Sequence, residues 1–242
     1  MFTDNSIKIR TRMKDINLLV GSSNSLNVVF DNYVFLYCNG GSASGLNNPN
    51  SVSQYNKAII HNIQHNNYKH HFFNFGSVDV SFLFLYKYAK NTNINYIEFN
   101  LDVINKYLNF ITSNFSNKSV IILSIGLPVL DDLFLKKGLL AGVNISTIEN
   151  ENLVELEKQL ENVVLPNIYE RTKITLHFNE QLENEIKKLN NPNIKFLDIT
   201  TFTYDDNLKR IKDEFFSRDD FHNYERNVYF TEIINNFLKT LS

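Results

Sequence analysis

The chain has 242 residues, 43% hydrophobic and 21% charged, a balance that excludes a disordered protein and is ample for a sizeable core. Lys and Arg number 24 against 26 Asp and Glu, a formal net charge of -2, so no basic excess draws it to nucleic acid or an anionic membrane. One cysteine excludes an internal disulfide. Residues 1–20, with scattered charges and no continuous apolar core, read as neither signal peptide nor membrane anchor, which makes the cytoplasm the expected location.

No Gly/Ser- or Pro-rich linker and no fixed-period repeat interrupts the chain, so a single domain over 1–242 is expected. The apolar, aromatic run Asn32–Cys38 predicts a buried strand. It stops at Asn39-Gly40-Gly41-Ser42-Ala43-Ser44-Gly45, whose glycines permit a sharp turn. A helix over Val52–Asn66 follows, then a strand over Tyr68–Phe75 ending at Gly76, then helices over about Val80–Asn91 and Ile97–Phe115. Ser119–Ile125 is the clearest strand, closed by Gly126 and Pro128. Leu153, Leu156, Leu160 and Val163 recur at helical spacing up to a break at Pro166, and a second helix runs from there to Leu189. Ile194–Ile199 reads as a last short strand, and Tyr229, Ile233, Phe237 and Leu241 mark one face of a final helix. The alternation predicts an α/β fold, three layers α/β/α around a mostly parallel, flavodoxin-like sheet, with functional residues at the carboxyl ends of its strands.

Two places at such ends carry chemistry. Gly40-Gly41-Ser42 follows what reads as the first strong strand and precedes a helix, where a turn projects a serine and leaves N–H groups for an oxyanion. By itself it is equally an ordinary strand-to-helix turn. No Gly-Lys-Ser/Thr follows to make a phosphate loop, and the dinucleotide spacing is absent. Near the carboxyl end, Ser217-Arg218-Asp219-Asp220-Phe221-His222 offers an imidazole to take a serine proton and, three residues before it, a carboxylate to fix its tautomer. Alone, that motif reads first as an exposed loop with a helix N-cap.

Together, the Gly-x-Ser turn, the mid-chain Gly76-Ser77-Val78-Asp79 and the terminal Asp219-x-x-His222 resemble the SGNH/GDSL hydrolase superfamily, over nearly the whole chain from Asn32. The resemblance implies Ser42 as nucleophile, His222 as base and Asp219 as its orienting partner, with no metal or organic cofactor. Oxyanion and substrate contacts would come from Gly41, Gly45, Asn47, Asn48, Gly76, Ser77 and Asp79. The strings GSASGLNNPNS and FNFGSVDVSF are similar to a subgroup found beside surface-polysaccharide genes, which implies a serine esterase acting on O-acyl, notably O-acetyl, groups of a carbohydrate. An O-acyltransferase on the same triad, or an inactive glycan- or protein-binding module of the same fold, are the other readings. The chain departs from the family at Gly41, where aspartate is usual, and at Val78, where an asparagine usually donates to the oxyanion. No glycine between Gly45 and Gly76 stands for the family's second block, as if a strand–helix unit were truncated.

Other features read more plainly. His61 and His65, one turn apart, lack the glutamate of a metalloprotease helix, and His70 and His71 should point to opposite faces of a strand. Cys38 reads as packed, Asp131 and Asp132 as solvated, and the aromatic stretch Phe82–Tyr88 as core.

Overall fold

A computed structural model of the protein describes residues 16–145, 153–217 and 228–241. Its centre is a five-stranded sheet made of β1 (Asn17–Gly21), β2 (Tyr33–Tyr37), β3 (His71–Asn74), β4 (Val120–Leu123) and β5 (Ile194–Leu197), in the order β2-β1-β3-β4-β5. Every neighbouring pair is parallel. The first described strand therefore precedes the Asn32–Cys38 run, which forms the second strand, at the sheet edge. β1 lies inside, buried along its whole length. A strand buried on both faces shows no polar alternation, so Leu18-Leu19-Val20 does not announce itself beside a charged segment.

Alternate residues of the strands feed two cores. Leu18, Val20, Phe73, Val120 and Ile122 face one; Leu19, Phe72, Ile121 and Leu123 face the other. The first core is the larger. It takes side chains from α1 (Ala43–Leu46), α2 (Tyr55–His65), α3 (Phe84–Lys90), α4 (Tyr96–Phe115), α5 (Leu135–Ile145), α6 (Leu153–Asn162) and α7 (Ile168–Lys188). The second is closed by Phe230 and Ile234 of α8 (Val228–Thr240) and by Val28 and Phe30 from the segment after β1. Helices thus cover both sheet faces, giving three layers. Burying a Phe or Leu side chain contributes about 1.5–3 kcal/mol, so the aromatic residues that sequence alone suggests as core, Phe84 among them, do pack there.

Local chemistry sets the helix ends. Asn167 accepts from Tyr169 N and Glu170 N at 3.0 Å while Glu170 accepts from Asn167 N at 2.8 Å, a capping box that starts α7 just after Pro166. Asn95 accepts from Ile97 N at 2.9 Å and starts α4. Elements absent from the sequence reading are α5 and a small antiparallel pair, β6 (Tyr204–Asp205) with β7 (Arg210–Ile211). Among the described residues, no helix is long and apolar enough to cross a membrane.

Candidate active site

Parallel strands bring their carboxyl ends to one edge, and two Gly/Ser turns meet there. The first follows β1. A Cβ on Gly21 would stand 2.0 Å from Ser25 Oγ and 3.0 Å from the Asn74 carbonyl oxygen, so only glycine lets the chain fold back against β3. The Ser25 hydroxyl, 2.9 Å from Asn74 Oδ1 and 3.1 Å from the Asn74 carbonyl, ties the turn down, and Asn74 Nδ2 donates to the Ser124 carbonyl at 3.0 Å. Ser22 is 1% exposed, and its Oγ has no hydrogen-bond partner among the described residues. Ser23, half-buried, opens a 3-10 helix, Ser23–Asn27.

The second turn follows β2 and holds Ser42. Gly40 adopts φ 64°, a conformation glycine takes without strain, and Gly41 N donates to the Cys38 carbonyl at 2.9 Å. Ser42 is the N-cap of α1, its Oγ accepting from Gly45 N at 3.0 Å. Asp79, fully buried after β3, accepts from Ala43 N at 2.6 Å, Ser44 N at 3.2 Å and Ser44 Oγ at 2.5 Å. Burial pushes its carboxyl up from the ordinary value, and these hydrogen bonds oppose that shift. Asp79 is therefore the clamp that fastens the β2 turn to the β3 turn. This turn follows the second strand and leads into α1, so the strand–helix unit expected to be truncated is present.

The remaining predicted residues divide. Asn47 Oδ1 accepts from Asn109 Nδ2 at 3.1 Å, and Asn48 takes Asn56 Nδ2 at 3.2 Å on its carbonyl and Asn50 N at 3.0 Å on Oδ1, so both hold the loop. Gly45 sits under the Ser42 cap. Gly76 turns the chain out of β3 at φ 116°, where a Cβ would press on the Phe178 ring at 2.8 Å. Ser77 is 6% exposed and faces a cleft.

That cleft, about 670 Å³ including its open mouth, runs along the carboxyl ends of the strands. Asn24 and Asn27 line it from the segment after β1, Ser77 and Ser81 from that after β3, Gly126 to Val129 from that after β4, and Thr200 and Thr203 from that after β5. No charged side chain lines it among the described residues. Asn24, Asn27, Ser77 and Ser81 have no side-chain hydrogen-bond partner among the described residues. The residues after β1 are those that sequence reasoning missed; the available signal was an apolar triplet closed by Gly21-Ser22-Ser23, itself a Gly-x-Ser.

Asp219 and His222 lie outside the described residues. The residues flanking their loop are fixed at the cleft. Ser217 N donates to the Val129 carbonyl at 2.8 Å and the Ser217 carbonyl accepts from Asp131 N at 3.1 Å, while Phe230 of α8 lines the cleft. Of the chain's six histidines, the five described lie elsewhere. His61 and His65 stack at 4.0 Å on the exposed side of α2, His70 and His71 sit at the opposite end of β3, and His177 packs edge-on against Tyr96. Burial pushes the Cys38 thiol up to about 12, far from a thiolate at neutral pH. Asp131 and Asp132 are not the loosely solvated pair expected. Asp131 caps a 3-10 turn through Leu133 N at 2.9 Å, and Asp132 pairs with buried Arg171 at 2.5 Å.

No protein-family model matches the chain, and no curated protein is similar to it in sequence. Among solved structures, a candidate acylhydrolase from Bacteroides fragilis superposes with a TM-score of 0.54 over 94% of this chain and 88% of its own, at 8% identity. A GDSL-like lipase from Bacteroides thetaiotaomicron gives 0.48 over 94% and 87%, at 12% identity. An extracellular lipase from Streptomyces rimosus gives 0.43 over 92% and 99%, at 8% identity.

Proposed function

We propose that this chain, whose fold is that of the SGNH/GDSL hydrolases, is a serine-dependent acyl hydrolase whose nucleophile is Ser23, in the turn after β1, in place of Ser42 in the turn after β2. The observation that carries this reading is the position of Gly21-Ser22-Ser23 at the end of an interior strand, beside the cleft residue Asn24. Ser22, sealed in the turn, supports its shape, whereas half-buried Ser23 retains access. Ser42 accepts from Gly45 N as the cap of α1, in a turn that leaves an edge strand.

His222 is the base in this reading. It is the one histidine not placed elsewhere, and the residues on either side of its loop reach the cleft, Ser217 through its bond to Val129 and α8 through Phe230. Asp219 holds its tautomer. Ser23 Oγ attacks the ester carbonyl as His222 takes its proton; the tetrahedral intermediate collapses with that proton passing to the leaving alcohol. Water, deprotonated by His222, then attacks the acyl-serine and releases the acid and the free hydroxyl. With Val78 unable to donate, the Ser77 hydroxyl is the side-chain donor for the oxyanion.

An O-acylated, and specifically O-acetylated, carbohydrate is the substrate class we favour. The amides and hydroxyls of Asn24, Asn27, Ser77 and Ser81 that line the cleft suit a hydroxyl-rich alcohol. The test is acid release from p-nitrophenyl acetate and from acetylated sugars. Wild type should turn both over, with Ser23→Ala and His222→Ala each losing about 10³-fold or more in kcat. A folded wild type without activity on any ester would overturn the reading. Acyl transfer to added sugars exceeding hydrolysis would convert it to the transferase.

A further inference from the structure

The turn after β2 carries the chain's one Asn-Gly pair, Asn39-Gly40. Gly41 N closes this turn onto the Cys38 carbonyl at 2.9 Å, which leaves Asn39 and Gly40 at its tip, both exposed. A glycine has no side chain to shield its amide nitrogen, and a Cβ on Gly40 would meet no atom within 4 Å. The Gly40 N–H has no hydrogen-bond acceptor among the described residues. Two tyrosines converge on Asn39. Tyr37 OH donates to its side-chain Oδ1 at 2.9 Å, and Tyr55 OH donates to its backbone carbonyl at 2.9 Å. Burial pushes both phenols above their ordinary value, so both stay donors at neutral and mildly alkaline pH.

These contacts fall on the two carbonyls that govern one reaction. Attack of the main chain on an asparagine side chain needs an electrophilic Cγ and an acidified N–H on the next residue. Tyr37 draws electron density from Cγ and stands where negative charge gathers on Oδ1 once Cγ becomes tetrahedral. Tyr55 draws density from the Asn39-Gly40 peptide group, whose N–H is the proton to be lost. We propose that this turn is a self-modifying site, at which the hydroxyls of Tyr37 and Tyr55 promote cyclisation of Asn39 onto Gly40 N. Gly40 N loses its proton to hydroxide and bonds to Asn39 Cγ. The Cγ–Nδ2 bond then breaks, Nδ2 takes a proton from water and leaves as ammonia, and a succinimide remains. Water adds to either ring carbonyl and opens it, leaving aspartate or isoaspartate at position 39. One water is consumed and one ammonia released, with nothing oxidised or reduced. The added carboxylate takes the formal net charge from -2 to -3, and Tyr37 is in place to donate to it in a stronger, charge-assisted bond. Isoaspartate also routes the main chain through the former side chain, lengthening the link between β2 and α1 by one methylene.

The test is incubation of the full chain in mildly alkaline buffer, for wild type, Tyr37→Phe and Tyr55→Phe. Isoelectric focusing follows the acidic product, and peptide mapping that separates aspartate from isoaspartate locates it. Folded wild type should accumulate an acidic species modified at position 39. Each phenylalanine variant keeps its ring and loses one donor, and should form that species about 5-fold more slowly. In urea all three should convert at one common rate, because the hydroxyls no longer reach Asn39. Circular dichroism confirms that each variant is folded; should one fail to fold, the other still decides. Folded wild type that stays unmodified at position 39 overturns the proposal. So do folded tyrosine variants that convert as fast as wild type, or variants that are equally slowed in urea.

Discussion

The two Gly/Ser turns at the carboxyl edge of the sheet look alike as strings and differ in what the fold does with them. Gly40-Gly41-Ser42 leaves an edge strand, and its hydroxyls are spent internally: Ser42 caps α1 and Ser44 donates to Asp79. Gly21-Ser22-Ser23 leaves an interior strand, is tied to β3 through Ser25 and Asn74, and abuts the cleft at Asn24. A glycine-rich turn can serve as a nucleophile's mount or as a clasp between neighbouring loops. Strand position and nearness to the cleft separate the two roles; residue spacing does not.

Asp79→Ala should break the clasp most severely. It leaves the Ala43 and Ser44 N–H groups without their buried acceptor and should cost about 3 kcal/mol of stability, read from urea or thermal unfolding. The charge on Asp79 adds a pH dependence. Because burial raises its folded carboxyl above the unfolded value, the stability linked to its protonation is fully present below the unfolded carboxylate range, near ~4, and is lost as pH rises through the folded value. Wild type should therefore lose stability relative to Asp79→Asn as pH is raised from acid, and an opposite slope would contradict the burial argument.

Ser42→Ala sharpens the comparison with a smaller effect. Losing the cap of the short helix α1 should cost about 0.5–2 kcal/mol, seen as a lower melting point, with esterase kcat kept within a few-fold of wild type. A large loss of kcat at unchanged stability would return the nucleophile to the second turn.

The sequence is most legible where elements are long. The apolar spacing in Tyr96–Phe115 places α4 to within a residue, and Pro166 with the Asn167/Glu170 box places the start of α7. The layered parallel fold follows from the alternation of such segments. The site we propose at the end of β1 is less legible. Five residues of fully buried parallel strand, with no alternation and a charged segment before them, carry no periodic signal, so the Gly-x-Ser after β2 stands out first. Ser77 lines the cleft, next to the Gly76 that marks the end of β3. Asp79 reads as a ligand contact because nothing in Gly-x-x-Asp tells that its carboxylate turns inward to Ala43 and Ser44. The β6–β7 pair has no strong pattern of its own and owes its form to tertiary contacts such as Phe202 with Phe215.

The most direct test of the account is covalent labelling with a fluorophosphonate, followed by intact mass and peptide mapping, in wild type, Ser23→Ala, Ser42→Ala and His222→Ala. The account predicts a single adduct on Ser23, absent from Ser23→Ala, suppressed in His222→Ala and undiminished in Ser42→Ala. An adduct on Ser42, or none on folded wild-type protein, would contradict it.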